Sequence, residues 1–270
     1  MDTGDDGIST LETTGREPVP RTTLVSTPAA RYLDGGYLAV RGMSSLFAAR
    51  IIVGLLSRQT ATGIAGHIAE IGVFEGRLLI AMALSLADGE RALAIDPFTW
   101  PDLGLRGRFE ANCVAHGVPA ERLAVLQRDS RSVTPRQLLN AAGGGIVRFL
   151  HIDGEHTAGH LASDLRLAAA AAAPDGVLAL DDMLHPVYPT LALTVHAFLG
   201  AEPDWRVLAI IDREDIVGAA KYLLCRKPAA AGYDAWLRSA FAAHVLPMDA
   251  DFESHRAVVI TPEPKLADIG

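Results

Sequence analysis

Cysteine is scarce in this chain: Cys113 and Cys225 are the only two in 270 residues, far apart and outside any metal-ligand spacing. A disulfide framework is not expected, and a reducing, cytoplasmic setting fits. Aromatics make up only 6% of the residues. There is no strongly basic run, and 32 acidic against 24 basic residues leave a formal net charge of -8. The electrostatic footprint of a nucleic-acid binder is missing, so small molecules are the expected partners. Long hydrophobic runs are also lacking. The Ala-rich stretch after Leu167 follows Asp164 and Arg166, is too short to span a bilayer, and reads as a buried helix, so no membrane partner is expected. The opening Met1-Asp2-Thr3-Gly4-Asp5-Asp6 is the reverse of a basic segment leading into an apolar one, and no signal peptide is expected.

What is present is aliphatic. Half of the residues are hydrophobic, mostly Ala, Leu, Val and Ile, a mixture that suits helices packed on a buried sheet. The length fits one α/β domain with extensions. Residues 1–28, rich in Thr, Gly, Pro and acids, read as a flexible arm. Residues 29–270 read as a single domain with a core over about 65–225 and a helix/strand extension over 226–270. Met43, Leu46, Phe47, Ile51 and Leu55 give the period of an amphipathic helix ahead of the core.

From His67 onward, short apolar strands alternate with helices. Strands are expected at His67–Ile71, Ala92–Ile95, Leu123–Gln127, Val147–Ile152 and Val177–Leu180. Helices are expected over Arg77–Ala87, Leu105–His116, Pro135–Ala142 and Ala158–Ala173, with a turn at Pro174-Asp175-Gly176. After a helix over Thr190–Leu199, strands at Arg206–Ile211 and Ala219–Cys225 are joined by a short polar connection that suits an antiparallel pair. The tail adds a helix over Tyr233–His244 and an edge strand at Ala257–Thr261. The alternation implies βαβ units and a Rossmann-like, doubly wound, mostly parallel sheet of seven strands, with helices on both faces and an N-terminal helical extension.

Ligands of such sheets bind at the carboxyl ends of the strands, near the point where strand order reverses. Here the strand ends carry Gly72 and Gly76, then Asp96, Asp129, Asp153, and Asp181 with Asp182. The glycine turn Glu70-Ile71-Gly72-Val73-Phe74-Glu75-Gly76 lets backbone approach a ligand closely. Its spacing is neither the pyrophosphate fingerprint nor a phosphate-binding P-loop, and its two glutamates suit a ligand with an ammonium group. Asp96 stands where a carboxylate can bind both ribose hydroxyls of a nucleoside. Asp129 and Ser130 close the third strand, where a side chain can meet an adenine amine. Each of these residues alone also fits a helix cap or turn former.

Together, Glu70-x-Gly72-x-x-x-Gly76, Ile95-Asp96-Pro97-Phe98, Asp129-Ser130, His151-Ile152-Asp153-Gly154-Glu155-His156 and Leu180-Asp181-Asp182 resemble class I S-adenosylmethionine-dependent methyltransferases. The resemblance is greatest to the metal-dependent bacterial small-molecule O-methyltransferases of the macrolide-sugar, aminocoumarin-sugar and cephalosporin-pathway type, and covers roughly residues 65–225. It implies that Glu70, Gly72 and Gly76 line the methionine end of the cofactor, with Asp153 beside them. Asp96 would hold the ribose, and Asp129 and Ser130 would lie by the adenine. Asp153, Asp181 and Asp182 match positions that hold Mg2+ in relatives. Some relatives have Glu-Asp where this chain has Asp181-Asp182, which shortens the first side chain.

Chemistry also supports a metal, since three carboxylates at the ends of adjacent strands repel one another unless protonated or neutralised, and a hard divalent cation with oxygen ligands answers that. Consecutive strand residues point to opposite faces, so Asp181 and Asp182 converge only if the pleat ends there. His156, three residues after Asp153, is a suitable base for a hydroxyl whose acidity a metal has raised, and Glu155 is the alternative base. His151 and His160 read as structural.

The expected reaction is methyl transfer to a hydroxyl of a small molecule. Trp100, Phe98, Met183 and Tyr188 are candidate acceptor contacts or, equally, core. The alternatives are a metal-independent methyltransferase, a nucleotide-binding oxidoreductase, and a non-catalytic cofactor-binding protein. The terminal helices are compatible with a homo-oligomer.

Overall fold

The computed structural model describes residues 26–214 and 219–263. The arm expected over 1–28 lies outside the described residues up to 25; Ser26 caps the first helix, α1 (Thr27–Arg31). A π-turn over Tyr32–Gly36 and a 3-10 turn over Tyr37–Ala39 follow. The Tyr32 hydroxyl donates to the Arg77 carbonyl at 3.0 Å, tying this segment to the core. Helix α2 (Leu46–Ala61) starts where the Ser45 side chain accepts from the Ala48 N–H, satisfying an otherwise orphaned donor.

The alternation then runs as expected: β1 (His67–Ile71), α3 (Arg77–Ala83), β2 (Ala92–Ile95), α4 (Leu105–Ala115), β3 (Leu123–Leu126), α5 (Pro135–Ala141), β4 (Val147–Ile152), α6 (Ala158–Ala171), β5 (Ala172–Met183), α7 (Thr190–Ala201), β6 (Trp205–Ile211), β7 (Ala220–Arg226) and α8 (Lys227–Ala240). A two-residue β8 (Ala250–Asp251) and β9 (Arg256–Ile260) close the sequence. No described helix is long and apolar enough to cross a membrane.

The strand order is β3-β2-β1-β4-β5-β7-β6-β9-β8. The pairs β1 to β5 are parallel, and β7 is antiparallel to both β5 and β6. Among the described residues the sheet therefore has nine strands, not the expected seven. The reason is β6, whose open ladder would be a liability at an edge. Strand β9 pairs with it in parallel, burying Ala257, Val258 and Ile260, so the expected edge strand is covered in turn by β8. One apolar core, including Phe47, Ile52, Leu79 and Phe109, lies on the α2/α3/α4/α8 face. A second, including Leu138, Leu165 and Val195, lies under α5, α6 and α7.

Two irregularities in β5 bear on function. Val147 pairs with Ala172 but Phe149 with Val177, so the expected turn at 174–176 is a bulge inside a longer strand. Further along, Leu180 pairs with Tyr222 and Met183 with Ala220, leaving Asp181 and Asp182 as a second bulge opposite Lys221. Asp182 sits there at φ +58°, a left-handed conformation that a short polar side chain tolerates. Such bulges re-aim side chains beside active sites.

Candidate functional site

The chain runs from β1 outward to β3 and then returns to place β4 on the other side of β1, so strand order reverses between β1 and β4. A cavity of about 670 Å³ opens at their carboxyl ends, within the range of small-molecule sites. Ile71, Gly72, Asp96, Asp129, Ser130, Asp153, Glu155, His156, Asp181 and Asp182 all contribute to its lining. The acids that end successive strands do converge on one cleft.

Gly72 is required by backbone contact. It sits at φ +80°, and a Cβ built there would lie 1.8 Å from the carbonyl oxygen of Asp153. The glycine turn thus lets the ends of β1 and β4 touch at the floor of the cavity. Gly76, at φ +89°, faces Phe109 rather than the cavity, with a built Cβ 2.9 Å from that ring. It caps α3 and shapes the turn from behind.

Asp96 is the pin of the glycine turn. Its Oδ2 accepts from the N–H groups of Val73 and Phe74 at 3.0 and 3.1 Å, and its Oδ1 from Phe98 at 2.6 Å. Burial raises its pKa, and those N–H bonds oppose the rise. Oδ1, which accepts one of the three bonds, keeps acceptor capacity. Asp129 caps the short turn after β3, accepting from the Arg131 N–H at 2.9 Å and pairing with the Arg131 guanidinium at 2.8 Å. Asp129 is thus a cap that also lines the cavity.

Glu70 departs from expectation. It is buried and absent from the cavity lining; its Oε1 lies 2.8 Å from His151 Nδ1, and its Oε2 has no partner. Burial pushes its pKa well up, with the Asp153 charge adding to the rise. Glu70 and His151 are direct neighbours in register on β1 and β4, which is why a glutamate and a mid-strand histidine meet. His151 is indeed internal, and burial, then the charge of Lys221, takes its pKa down to about 3.

The metal trio is split by the β5 bulge. Asp181 Oδ1 accepts from the Asp182 N–H at 2.9 Å, and its Oδ2 receives the ammonium of Lys221. Lys221 Nζ also lies 3.3 Å from His151 Nε2. Burial pushes the Asp181 carboxyl up, but the charges of Lys221 and His151 and the hydrogen bonds from Lys221 and the Asp182 N–H together hold the pKa low. Asp182 turns the other way. Its Oδ2 is 2.6 Å from His156 Nε2, which in turn is 3.7 Å from Asp153 Oδ1. Asp153 is raised to about 7 by burial and by the Asp181 charge. His156, between the carboxylates of Asp153 and Asp182, is raised to about 10.

The charge that neutralises Asp181 was missed in the sequence. Lys221 is 2% exposed, and the available signal was one lysine inside the apolar strand Ala220–Arg226.

Two groups of side chains have the donor types and proximity for a cation: His151 with Asp153 and Asp181, and Asp153 with His156 and Asp182. The first is already bridged by Lys221. The second fits a metal through its two carboxylates: the donor atoms of Asp153, Asp182 and His156 lie within 4.8 Å of one another, and all three residues line the cavity. Glu155 is exposed on the cavity wall.

Of the four candidate acceptor contacts, Trp100 and Tyr188 line the cavity. Phe98, 1% exposed, packs on Phe109, and Met183 is likewise core. His160 lies on the lining and bonds the Thr157 hydroxyl at 2.7 Å.

Comparison with known proteins agrees with this fold. The model of the methyltransferase domain family matches residues 69–183. No curated protein matches the sequence. Among solved structures, CalS11, a TDP-rhamnose 3'-O-methyltransferase of calicheamicin biosynthesis, shares 18% identity at a TM-score of 0.53, with 74% of this chain and 91% of that chain covered. The O-methyltransferase TomG from Streptomyces achromogenes, in complex with SAM, shares 18% identity at a TM-score of 0.52, over 77% of this chain and 91% of that one. An O-methyltransferase from Bacillus cereus, in complex with SAH, shares 16% identity at 0.54, over 76% and 94%. At these identities the structures establish a shared fold. Residues 69–183, which hold most of the cavity lining, match the methyltransferase domain family, and the chain's resemblance to class I S-adenosylmethionine-dependent methyltransferases stands.

Proposed function

We propose that this protein transfers a methyl group from S-adenosylmethionine to a hydroxyl oxygen of a small molecule, with a divalent metal, Mg2+, beside the acceptor. The observation that carries the reading is the single cavity, lined by the glycine turn and Asp96 together with Asp153, His156 and Asp182. Gly72 and Asp153 would border the methionine end, Asp96 would hold the ribose hydroxyls, and Asp129 and Ser130 would lie by the adenine. Glu70 and Gly76 support that end from beneath: Glu70 through His151 and Gly76 through the start of α3. SAM and SAH in complex with TomG and the Bacillus cereus protein support the choice of cofactor.

Asp153 and Asp182 would supply oxygen ligands to the metal, and Asp181, tied to Lys221, would hold the bulge that aims Asp182. Such an ion would lower the pKa of the acceptor hydroxyl. His156 is the base. Its high pKa comes from the two carboxylates beside it; with a cation on those carboxylates the imidazole would be neutral and would accept the hydroxyl proton at Nε2. Glu155 on the wall is the second candidate for that proton. Linear attack at the sulfonium methyl requires the acceptor to be positioned, and positioning supplies much of the acceleration.

A metal-independent reading is favoured by one observation: Lys221 and His156 already place cations against Asp181 and Asp182. Calorimetric titration with S-adenosylhomocysteine, with and without Mg2+, separates the outcomes. Binding enhanced by Mg2+ supports the proposal. Binding indifferent to Mg2+, with turnover intact in EDTA, supports the metal-independent reading, and no binding ends both.

A further inference from the structure

His151 is arranged as a metal ligand is, yet the cation it faces is a lysine. Its Nδ1 lies 2.8 Å from Glu70 Oε1, and its Nε2 lies 3.3 Å from Lys221 Nζ. An ammonium only donates, so Nε2 presents its lone pair to Lys221 and Nδ1 gives its proton to Glu70. An imidazole with one nitrogen on a carboxylate and the other on a cation is the arrangement of a histidine ligand with its outer-shell partner. The pair is sealed from solvent, with side-chain exposures of 0% for His151 and 3% for Glu70.

Two carboxylates complete the set. One donor atom from each of His151, Asp153 and Asp181 lies within 4.8 Å of the others, and Asp181 Oδ2 is 3.7 Å from His151 Nε2. One nitrogen and two oxygen donors are a sufficient protein ligand set for a divalent ion. The Lys221 ammonium contacts both His151 Nε2 and Asp181 Oδ2, the same atoms an ion would need. It reaches them from β7, across from the bulge at Asp181 and Asp182. A buried lysine held by such partners is a fixed charge rather than a mobile surface one.

We propose that Lys221 is a resident cation standing in for a metal ion in an inner His151–Asp153–Asp181 site, and that it thereby confines divalent-ion binding to Asp153 and Asp182 beside His156. Lys221 is a positioning residue in this scheme, since it acts through the carboxylates. The inference builds on the metal reading above and adds which of two adjoining sites the ion is kept out of. An imidazole donor suits transition ions, whereas an all-oxygen set suits hard ions such as Mg2+. The ammonium therefore also biases the choice of metal.

The test replaces the ammonium and looks for an ion in its place. Mn2+ is added to full-length His156→Gln protein, with and without Lys221→Met, so that the outer pair contributes no imidazole. Pulsed EPR of Mn2+ then reads nitrogen coupling from His151. No coupling is expected while Lys221 is present. Coupling is expected to appear with Lys221→Met and to vanish again when His151→Gln is added. Thermal unfolding gives a second readout: Lys221→Met should lower the Tm, and Mn2+ should raise it again, because an ion bound only by the folded state stabilises that state. Nitrogen coupling in the protein that retains Lys221 overturns the proposal. So does a Lys221→Met protein that shows neither coupling nor a Tm raised by Mn2+, including one that stays unfolded in Mn2+. Coupling confined to Lys221→Met, with no Mn2+ bound while Lys221 is present, removes the outer metal reading and leaves the role of Lys221 standing.

Discussion

The ammonium of Lys221 meets the carboxylate of Asp181 at the inner end of the cavity, with Lys221 side-chain exposure of 3% and Asp181 of 11%. A protein cation thus answers one of the three carboxylates whose mutual repulsion argued for a metal. The other two, Asp153 and Asp182, face His156.

Removing Lys221 should be costly because Asp181 would remain buried without a counter-charge. Lys221→Met is expected to lower stability by about 3–5 kcal/mol, the usual effect of breaking a buried pair from one side. Adding Asp181→Leu should recover most of that loss. Urea unfolding of the single and double variants measures both effects. A single variant within about 0.5 kcal/mol of the parent, the range of ordinary surface changes, would refute the buried pair.

Gly72→Ala introduces a Cβ where the Asp153 carbonyl already stands, at φ +80°. Left-handed strain and the overlap together should cost about 2 kcal/mol or more, and S-adenosylhomocysteine binding should fall with the displaced turn. Gly143→Ala is the control: it shares a positive φ of +87° but has nothing within 4 Å, so the cost is about 1 kcal/mol from strain alone. Equal losses in thermal unfolding would show that the contact with Asp153 is irrelevant.

Under the proposed mechanism, Asp153→Asn and Asp182→Asn should each lose Mg2+ binding by calorimetry, and chelator should abolish turnover of the parent. His156→Gln should retain Mg2+ but lose about 10²–10⁴-fold in rate, the range for a positioned base. Full turnover of Asp182→Asn in EDTA would remove the metal from the mechanism.

Asp164 gives a pH signature outside the reacting cluster. It is 1% exposed, and burial raises its pKa from 3.8 to about 6, against an opposing hydrogen bond with Ser130. The folded state therefore binds this proton more tightly than the unfolded chain. Its contribution is full below the unfolded pKa of 3.8 and is lost as pH rises through about 6. Asp164→Asn should lack that decline and be the more stable protein at pH 7, by at most about 3 kcal/mol. Denaturant midpoints of both proteins between pH 4 and pH 7 read the difference, and parallel curves would contradict the shift.

The strands through β4 and their order along the chain were legible because buried parallel strands are short aliphatic runs ended by glycine or acid. His67–Ile71, Ala92–Ile95 and Val147–Ile152 match their observed bounds. Strand β5 was read short because Pro174-Asp175-Gly176 has the composition of a turn, and a bulge uses the same residues. The count of seven fell short because β8 is only two residues long, and because β9, which matches the edge strand expected at Ala257–Thr261, joins the sheet through a partner 49 positions earlier. In the site, Gly72, Asp96, Asp153 and Asp182 were readable from place and type. The inward turn of Glu70 was not, because β1 carries side chains on both faces and only the neighbouring His151 identifies the polar one.

Local sequence alone determined that successive strands end in acids, since apolar period and terminating residue are properties of neighbours in the chain. Which acids face the cavity was decided by tertiary structure. Lys221 reaches Asp181 because β7 runs antiparallel beside β5 and a bulge opens opposite it. A contact between residues 40 positions apart depends on strand register, and register is set by packing of the whole sheet rather than by either segment.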